Sequence, residues 1–282
     1  MPALTALTLP STDPAANQPT DYEEFLRARL QQAHQAVRYD LPQESIWIKR
    51  AGGGNPRLNY LLLQWLAKLF NAPVLRPVPN PGGAQSVATE VRRLRSLQAR
   101  GVRVPTVLAV CGDAFAMRHL GRPGMEAPSL SNAMEAAIGQ PGGATLRLWR
   151  QGLDAIADVH ARGECLSQAV ARNMVCCPDG AIGFIDFEDD PAASLPRPVC
   201  LARDALNYAQ STALFLLQSG CLAAALPLWS DFAQGMPAEA RQALQLSVQK
   251  LAWVRFLPRN RRLGRDALRA RAAYDLLTGI AE

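Results

Sequence analysis

Apolar residues recur along this chain with two periods, one near 3.6 residues and one near two, and the alternation predicts where helices and strands lie. Residues 1–19 carry neither period. They are rich in Pro, Thr, Ala and Asn and read as a disordered arm. Thr20 with Glu23 three residues on reads as a capping box, opening a helix to about Arg38 with Leu26, Leu30, Ala33 and Val37 on one face. Ile46 to Lys49 is a short β-type run that breaks at Gly52-Gly53-Gly54. After Asn55-Pro56, Leu58 to Phe70 is apolar and of helical length, and Pro73 to Val78 is a second β-type run. Ser86 to Arg100 places Val87, Glu90, Val91, Leu94 and Leu97 at helical spacing, and Gly101 closes that helix. Val102 to Val110 and Ala114 to Leu120 read as strands joined by Gly112-Asp113, a hairpin signal, and Gly121 to Gly124 reads as a hinge. From there to Arg162 the pattern is helical, with Leu146, Trp149, Leu153, Ile156 and His160 on one face. Beyond Pro191, Pro196 and Pro198, helices are expected from about Leu201 onward.

This order predicts an α+β chain of bilobal plan. A small β-rich N-lobe with a helical insertion would span residues 20–121, and a mostly helical C-lobe residues 122–282. With 49% apolar residues the 282-residue chain can bury a sizeable core. No run approaches eighteen apolar residues, and the first 26 residues contain no Lys or Arg, so neither a membrane span nor a secretory signal is indicated and a cytoplasmic location is expected. Six cysteines without a C-x-x-C pair, and three scattered histidines, read as reduced thiols rather than a metal site. The net charge of +6 is unevenly placed: Arg255, Arg259, Arg261, Arg262, Arg265, Arg269 and Arg271 crowd the last thirty residues. Such a cluster could meet an anionic ligand, a phospholipid surface or nucleic acid. No aromatic residues interleave these arginines as a stacking platform needs, so the plainer reading is a solvated helix face, and nucleic acid is disfavoured.

The candidate chemistry lies between Gln168 and Asp190. Asn173 closes Q-A-V-A-R-N, and Asp186, thirteen residues later, opens D-F-E-D-D. Asp186 follows an apolar strand, where a carboxylate is costly to bury unless paired or metal-bound. This layout resembles the catalytic core of the protein-kinase-like superfamily, and most closely the bacterial kinases that phosphorylate heptose and Kdo sugars of the lipopolysaccharide core. The likeness covers about residues 45 to 215.

The resemblance implies a bilobal kinase-like fold binding ATP and Mg²⁺. Asn173 and Asp186 stand where the metal-clamping pair belongs, and Glu90 matches the helix glutamate that holds a phosphate-contacting cation. That cation is Lys49, as in the F-V-K-R strand of heptose kinases, or Arg76, as in the V-L-R segment of Kdo kinases; Lys49 is preferred because a compact ammonium is the usual contact. The position of the catalytic Asp holds Gln168, an amide that cannot take up a proton near neutral pH. Glu188 replaces the Gly of D-F-G, and with Asp189 and Asp190 adds carboxylates able to bind an ion or stand in as a base. Gly52-Gly53-Gly54 matches no standard phosphate loop and reads as a turn, His160 reads as structural, and Asp204 as a brace of the catalytic loop.

The expected partners are a nucleotide and an envelope sugar or other small molecule, with an anionic membrane surface open to the basic C-terminal stretch; the location would be cytoplasmic, at most peripheral to the inner membrane. Three functions stay open: an ATP-dependent phosphotransferase, a pseudokinase that binds without transfer, and a small kinase or ATPase associated with tRNA modification. Read without the resemblance, each residue has a plainer role, Glu90 as an exposed helix residue pairing with Arg93 or Arg95, and Asn173 as a turn residue.

Overall fold

A computed structural model describes residues 9–10, 21–32, 34–52, 82–259 and 263–280. The chain is α+β, with a small, largely antiparallel sheet followed by a helical part. In chain order the elements are β1 (Leu9–Pro10), α1 (Tyr22–Arg27), β2 (Ala36–Asp40), β3 (Ser45–Arg50), α2 (Gly83–Ala99), β4 (Val107–Cys111), β5 (Ala114–Arg118), α3 (Leu130–Ala136), α4 (Ala144–Ala161), β6 (Met174–Cys176), β7 (Ile182–Phe184), α5 (Arg197–Gln218), α6 (Leu222–Gly235), α7 (Ala238–Lys250) and α8 (Gly264–Thr278). The expected helix over Leu58–Phe70 and the run over Pro73–Val78 lie outside the described residues.

Contacts divide the chain into two compact units. The first holds described residues 9–10, 21–32, 34–52, 82–127 and 177–190; the second holds 128–176, 191–259 and 263–280. The split is not the single cut at residue 121 expected from sequence, because Cys177–Asp190 returns to the sheet-bearing unit.

In the first unit the sheet order is β1-β2-β3-β5-β4. β1 runs parallel to β2, with Leu9 opposite Tyr39, so two residues of the expected disordered arm join a ladder; the rest of that arm lies outside the described residues. β2, β3, β5 and β4 are antiparallel neighbours, with Val37 opposite Ile48 and Lys49 opposite Phe115. Successive side chains of a strand alternate in direction. Val37, Tyr39, Ile46, Ile48, Ala114 and Ala116 therefore share one face, and Leu26 of α1 packs into it with Phe25 and Tyr22 at its edge. Lys49 stands on the opposite face.

Three expectations change here. The first helix starts at Asp21, whose side chain accepts from the Glu23 and Glu24 amides, and its regular turns end at Arg27. Val37 belongs to β2, because pairing with β3 satisfies its backbone and the alternation Val37, Tyr39 fits a strand face better than a helical one. The strand expected from Val102 begins at Val107: Pro105 has no N–H to give a ladder, and the Arg103 carbonyl accepts from the Phe184 amide instead. α2 ends as the sequence suggests, with Gly101 at φ 75°, its N–H donating to the Gln98 carbonyl while the Val102 N–H donates to the Leu97 carbonyl.

The second unit is built around α5, which buries residues on all sides, from Cys200, Leu201 and Ala202 to Leu214, Phe215 and Leu216. α4 packs on it closely. The Trp149 indole donates to Thr212 Oγ1 at 3.0 Å, the Tyr208 hydroxyl donates to the Trp149 carbonyl, and the two rings stack with centroids 6.1 Å apart. Gly152 allows the approach, because a Cβ there would lie 2.4 Å from Tyr208 Oη and 2.6 Å from Leu130 Cδ2.

Candidate functional site

Lys49 is a cation on a strand that is otherwise core. Its alkyl stem lies along the sheet face, and its ammonium stays in the interior only because three carboxylates meet it there. Nζ is 2.8 Å from Glu90 Oε2 and 3.0 Å from Glu90 Oε1, 3.1 Å from Asp186 Oδ1 and 3.0 Å from Glu188 Oε1. Glu90 is only 2% exposed, which overturns its reading as an exposed partner of Arg93 or Arg95. The helical period of α2 explains this, since Glu90 falls among the buried Val87, Val91 and Leu94. Arg76, the other candidate cation, lies outside the described residues, as do Gly53 and Gly54.

Asp186 reaches the ammonium from just beyond β7. Its φ of 71° is left-handed, and among the described residues it is the single non-glycine residue with positive φ. Such a backbone costs about 1–3 kcal/mol and persists where its surroundings over-determine it, commonly at functional sites. Aspartate tolerates that region better than most side chains. The next residue, Phe187, is buried and donates its N–H to Glu90 Oε1 at 3.4 Å, so α2 grips the segment immediately after Asp186.

Three carboxylates meet one ammonium here, and this excess of negative charge around Lys49 shifts proton affinities in one direction. Burial alone would push the Lys49 ammonium down, but attraction to Glu90, and then to Asp186 and Glu188, outweighs it and holds the group protonated well above its ordinary range. Glu90 is also raised, first by burial, with Asp186 and Glu188 adding to it against the pull of Lys49.

Among the described residues no three His, Cys, Asp or Glu side chains are grouped so as to hold a metal ion by themselves. Mg²⁺ commonly takes one or two carboxylates and completes its octahedron with water and phosphate oxygens. Asp186 and Glu188 are a donor set of that kind. Glu188 also accepts from the Gln35 amide at 3.5 Å. Asp190, proposed from sequence as a spare carboxylate, is drawn instead to α2, with Arg92 at 2.9 Å and Arg93 at 4.0 Å. Sequence reasoning missed Gln35 and Arg92 as partners of this acidic run. Nothing in their local pattern marks them, because each is brought to it by the sheet or the helix.

The loop carrying Gln168 and Asn173 belongs to the second unit. Asn173 is buried and closes a 3₁₀ turn over Ala171–Asn173 immediately before β6, and its amide nitrogen reaches back 3.5 Å to the Gln168 carbonyl. The five-residue spacing noticed in the sequence thus closes a loop. Below it, the Asp204 carboxylate, fully buried in α5, accepts the Leu166 N–H at 2.8 Å and meets His160 Nε2 at 3.1 Å. Burial pushes the Asp204 carboxyl up, against the His160 and Leu166 contacts that favour its charged form. His160 is thus held by a carboxylate from below, and Asp204 fixes the start of the Gln168 loop. No family model matches this chain, and a search of curated proteins finds no relative.

Proposed function

We propose that this chain is a nucleotide-binding protein of the protein-kinase-like superfamily, the sheet-bearing unit acting as its small lobe and the helical unit as its large one. The observation that carries the proposal is the Lys49–Glu90–Asp186 constellation. A strand lysine held by a helix glutamate, with a metal-binding type of aspartate at the end of a later strand, is the arrangement that phosphoryl-transfer enzymes of this kind use to grip the phosphates of ATP. The excess of carboxylates over cations in this cluster favours Mg²⁺, which Asp186 and Glu188 would hold and which, when bound, would supply positive charge against the phosphates; Asn173, expected from sequence to share in this, belongs to the helical unit. Lys49 would exchange part of its carboxylate contacts for phosphate oxygens while Glu90 keeps it aimed.

The reaction class is ATP-dependent transfer to a small hydroxylated acceptor, for which an envelope sugar is the reading the resemblance favours. Gln168 supports a second reading, a pseudokinase that binds nucleotide without transfer. An amide can orient an acceptor hydroxyl but not remove its proton, and a positioned base contributes typically ~10²–10⁴-fold.

Calorimetric titration of the full chain with ATP, with and without Mg²⁺, tests the proposal. Asp186→Asn keeps a residue that tolerates positive φ and should remove the Mg²⁺ dependence. Lys49→Met with Glu90→Gln, which removes both charges of the buried pair together, should weaken nucleotide binding about tenfold or more. Wild-type affinity that is absent, or indifferent to Mg²⁺, would overturn the proposal. Phosphate release from the same preparation separates the two readings: turnover identifies a transferase, and binding without turnover the pseudokinase.

A further inference from the structure

The second unit carries a surface that nucleotide binding does not use. Residues 250–280 contain eight Lys and Arg side chains against two Asp, and this surplus of six equals the formal net charge of the whole chain, so the remainder of the sequence is electrically balanced. The reading of this stretch as a solvated arginine face without aromatic residues overlooks Trp253 and Phe256, which flank Arg255. Ala252–Phe256 forms a 3₁₀ turn between α7 and α8, with Val254 as its buried anchor. Around that anchor Trp253 is 49% and Phe256 75% exposed, and Leu263, at the start of α8, is 62% exposed. The Arg255 guanidinium lies over the Phe256 ring, 4.7 Å from its centroid, so charge and apolar surface are presented together.

The acids of the stretch do not cancel this display. Asp275 is buried and taken up by Arg259 and Arg271, at 3.1 and 3.0 Å, and Asp266 sits 3.2 Å from Arg269. Arg265, half exposed, lies 3.8 Å from the Glu135 carboxylate, at the long end of an ion pair. The turn itself is held to α8 from below, where the Arg271 guanidinium donates to the Arg255 and Leu257 carbonyls. A large exposed phenylalanine and tryptophan on a fixed turn are not the usual outer surface of a soluble protein, where exposed aromatics of this size mark contact sites.

We propose that the turn over Trp253–Phe256, with Leu263 and Arg265, docks onto an anionic phospholipid bilayer. Tryptophan and phenylalanine settle at the boundary between headgroups and acyl chains, and arginines beside them meet lipid phosphates. The aliphatic member, Leu263, decides between the two polyanions that such a charge could meet. A single-stranded nucleic acid rewards flat rings on which bases stack and gains nothing from an exposed leucine, whereas an acyl boundary rewards any apolar side chain. This docking is independent of the nucleotide proposal, since no residue is shared.

The test is co-sedimentation of the full chain with vesicles of phosphatidylcholine alone or mixed with phosphatidylglycerol. Binding to the mixed vesicles only, weakening as salt is raised, is expected. Arg255→Glu should reduce partitioning roughly thirtyfold, since each cation at the surface is worth about one kcal/mol and the change removes two charges. Phe256→Ser should reduce it roughly tenfold. Both side chains are exposed, so the variants should melt with the wild type. Arg150→Glu, the same charge change on an exposed face of α4, should alter partitioning less than about twofold. Three results would overturn the proposal: no binding to phosphatidylglycerol vesicles at low salt; an Arg150→Glu effect as large as that of Arg255→Glu; or a single-stranded oligonucleotide, rather than vesicles, whose binding falls with Arg255→Glu and Phe256→Ser.

Discussion

His119 shows how one side chain can couple a fold to pH. The Trp47 indole, which can only donate, gives its N–H to His119 Nδ1 at 3.0 Å, so the ring proton sits on Nε2, 3.1 Å from the Met125 carbonyl that accepts it. Protonating the ring would set two N–H groups against each other. Burial, foremost, and Arg38 nearby depress its pKa, against the Met125 carbonyl, Glu126 and Asp40, which raise it. A histidine depressed on folding stabilises fully above its unfolded value near 6.5 and loses that contribution as pH falls from there through its folded pKa. Urea unfolding at pH 7.5 and 5 should show a loss on acidification that is smaller in His119→Gln; an equal loss in both proteins would discard this role. Residues of this kind are illegible in sequence, because Trp47 and His119 are neighbours only through the pairing of β3 with β5. Glu90 was legible, since the period that buries Val87, Val91 and Leu94 buries it too. The choice of Lys49 over Arg76 came from resemblance and chemistry, and the geometry adds Asp186 and Glu188 to its partners.

At the scale of elements, sequence pattern served best where a local signal and the tertiary contact agree. The Gly112-Asp113 hairpin and the glycine stop of α2 were readable because Gly112 at φ 58° and Gly101 at φ 75° are conformations few other residues adopt. The helix expected to reach Arg38 failed because a helical spacing of Leu26, Leu30, Ala33 and Val37 is equally the sum of a short helix and a strand. The packing of α4 on α5 gives a prediction against propensity. Gly152→Ala should gain about 0.5–1 kcal/mol as a helix residue, yet its new methyl would meet Tyr208 Oη and Leu130 Cδ2 well inside contact distance. The Tyr208 ring cannot retreat, since its hydroxyl is bonded to the Trp149 carbonyl. Overpacking costs of about 1–3 kcal/mol should win, and a melting temperature below wild type is expected in calorimetry; an equal or higher one would show that α4 and α5 can part without loss.

For the molecule as a whole, the α+β order was readable from the change of period, while the return of Cys177–Asp190 to the sheet-bearing unit was not. Nothing local in that segment announces it; the tie is made by the Phe184 amide to the Arg103 carbonyl and by Lys49 to Asp186. No helix among the described residues is long and apolar enough to cross a membrane. The carboxylate cage of Lys49 has a consequence for chemical reactivity. Of the thirty cationic side chains only Lys49, Lys68 and Lys250 are lysines, so an acylation map of this chain is simple to read. Buried lysines are often the nucleophilic ones, because desolvation strips their proton. Here the surplus of carboxylates retains it, and a protonated amine has no lone pair to offer. Acetic anhydride on the native chain should modify Lys250 and pass over Lys49, which should react at an ordinary rate once the protein is denatured. Removing two of the acids, by Asp186→Asn with Glu188→Gln, should make the native Lys49 acylate faster; labelling of Lys49 as fast as Lys250 in the untouched protein would mean that the cage does not hold its proton.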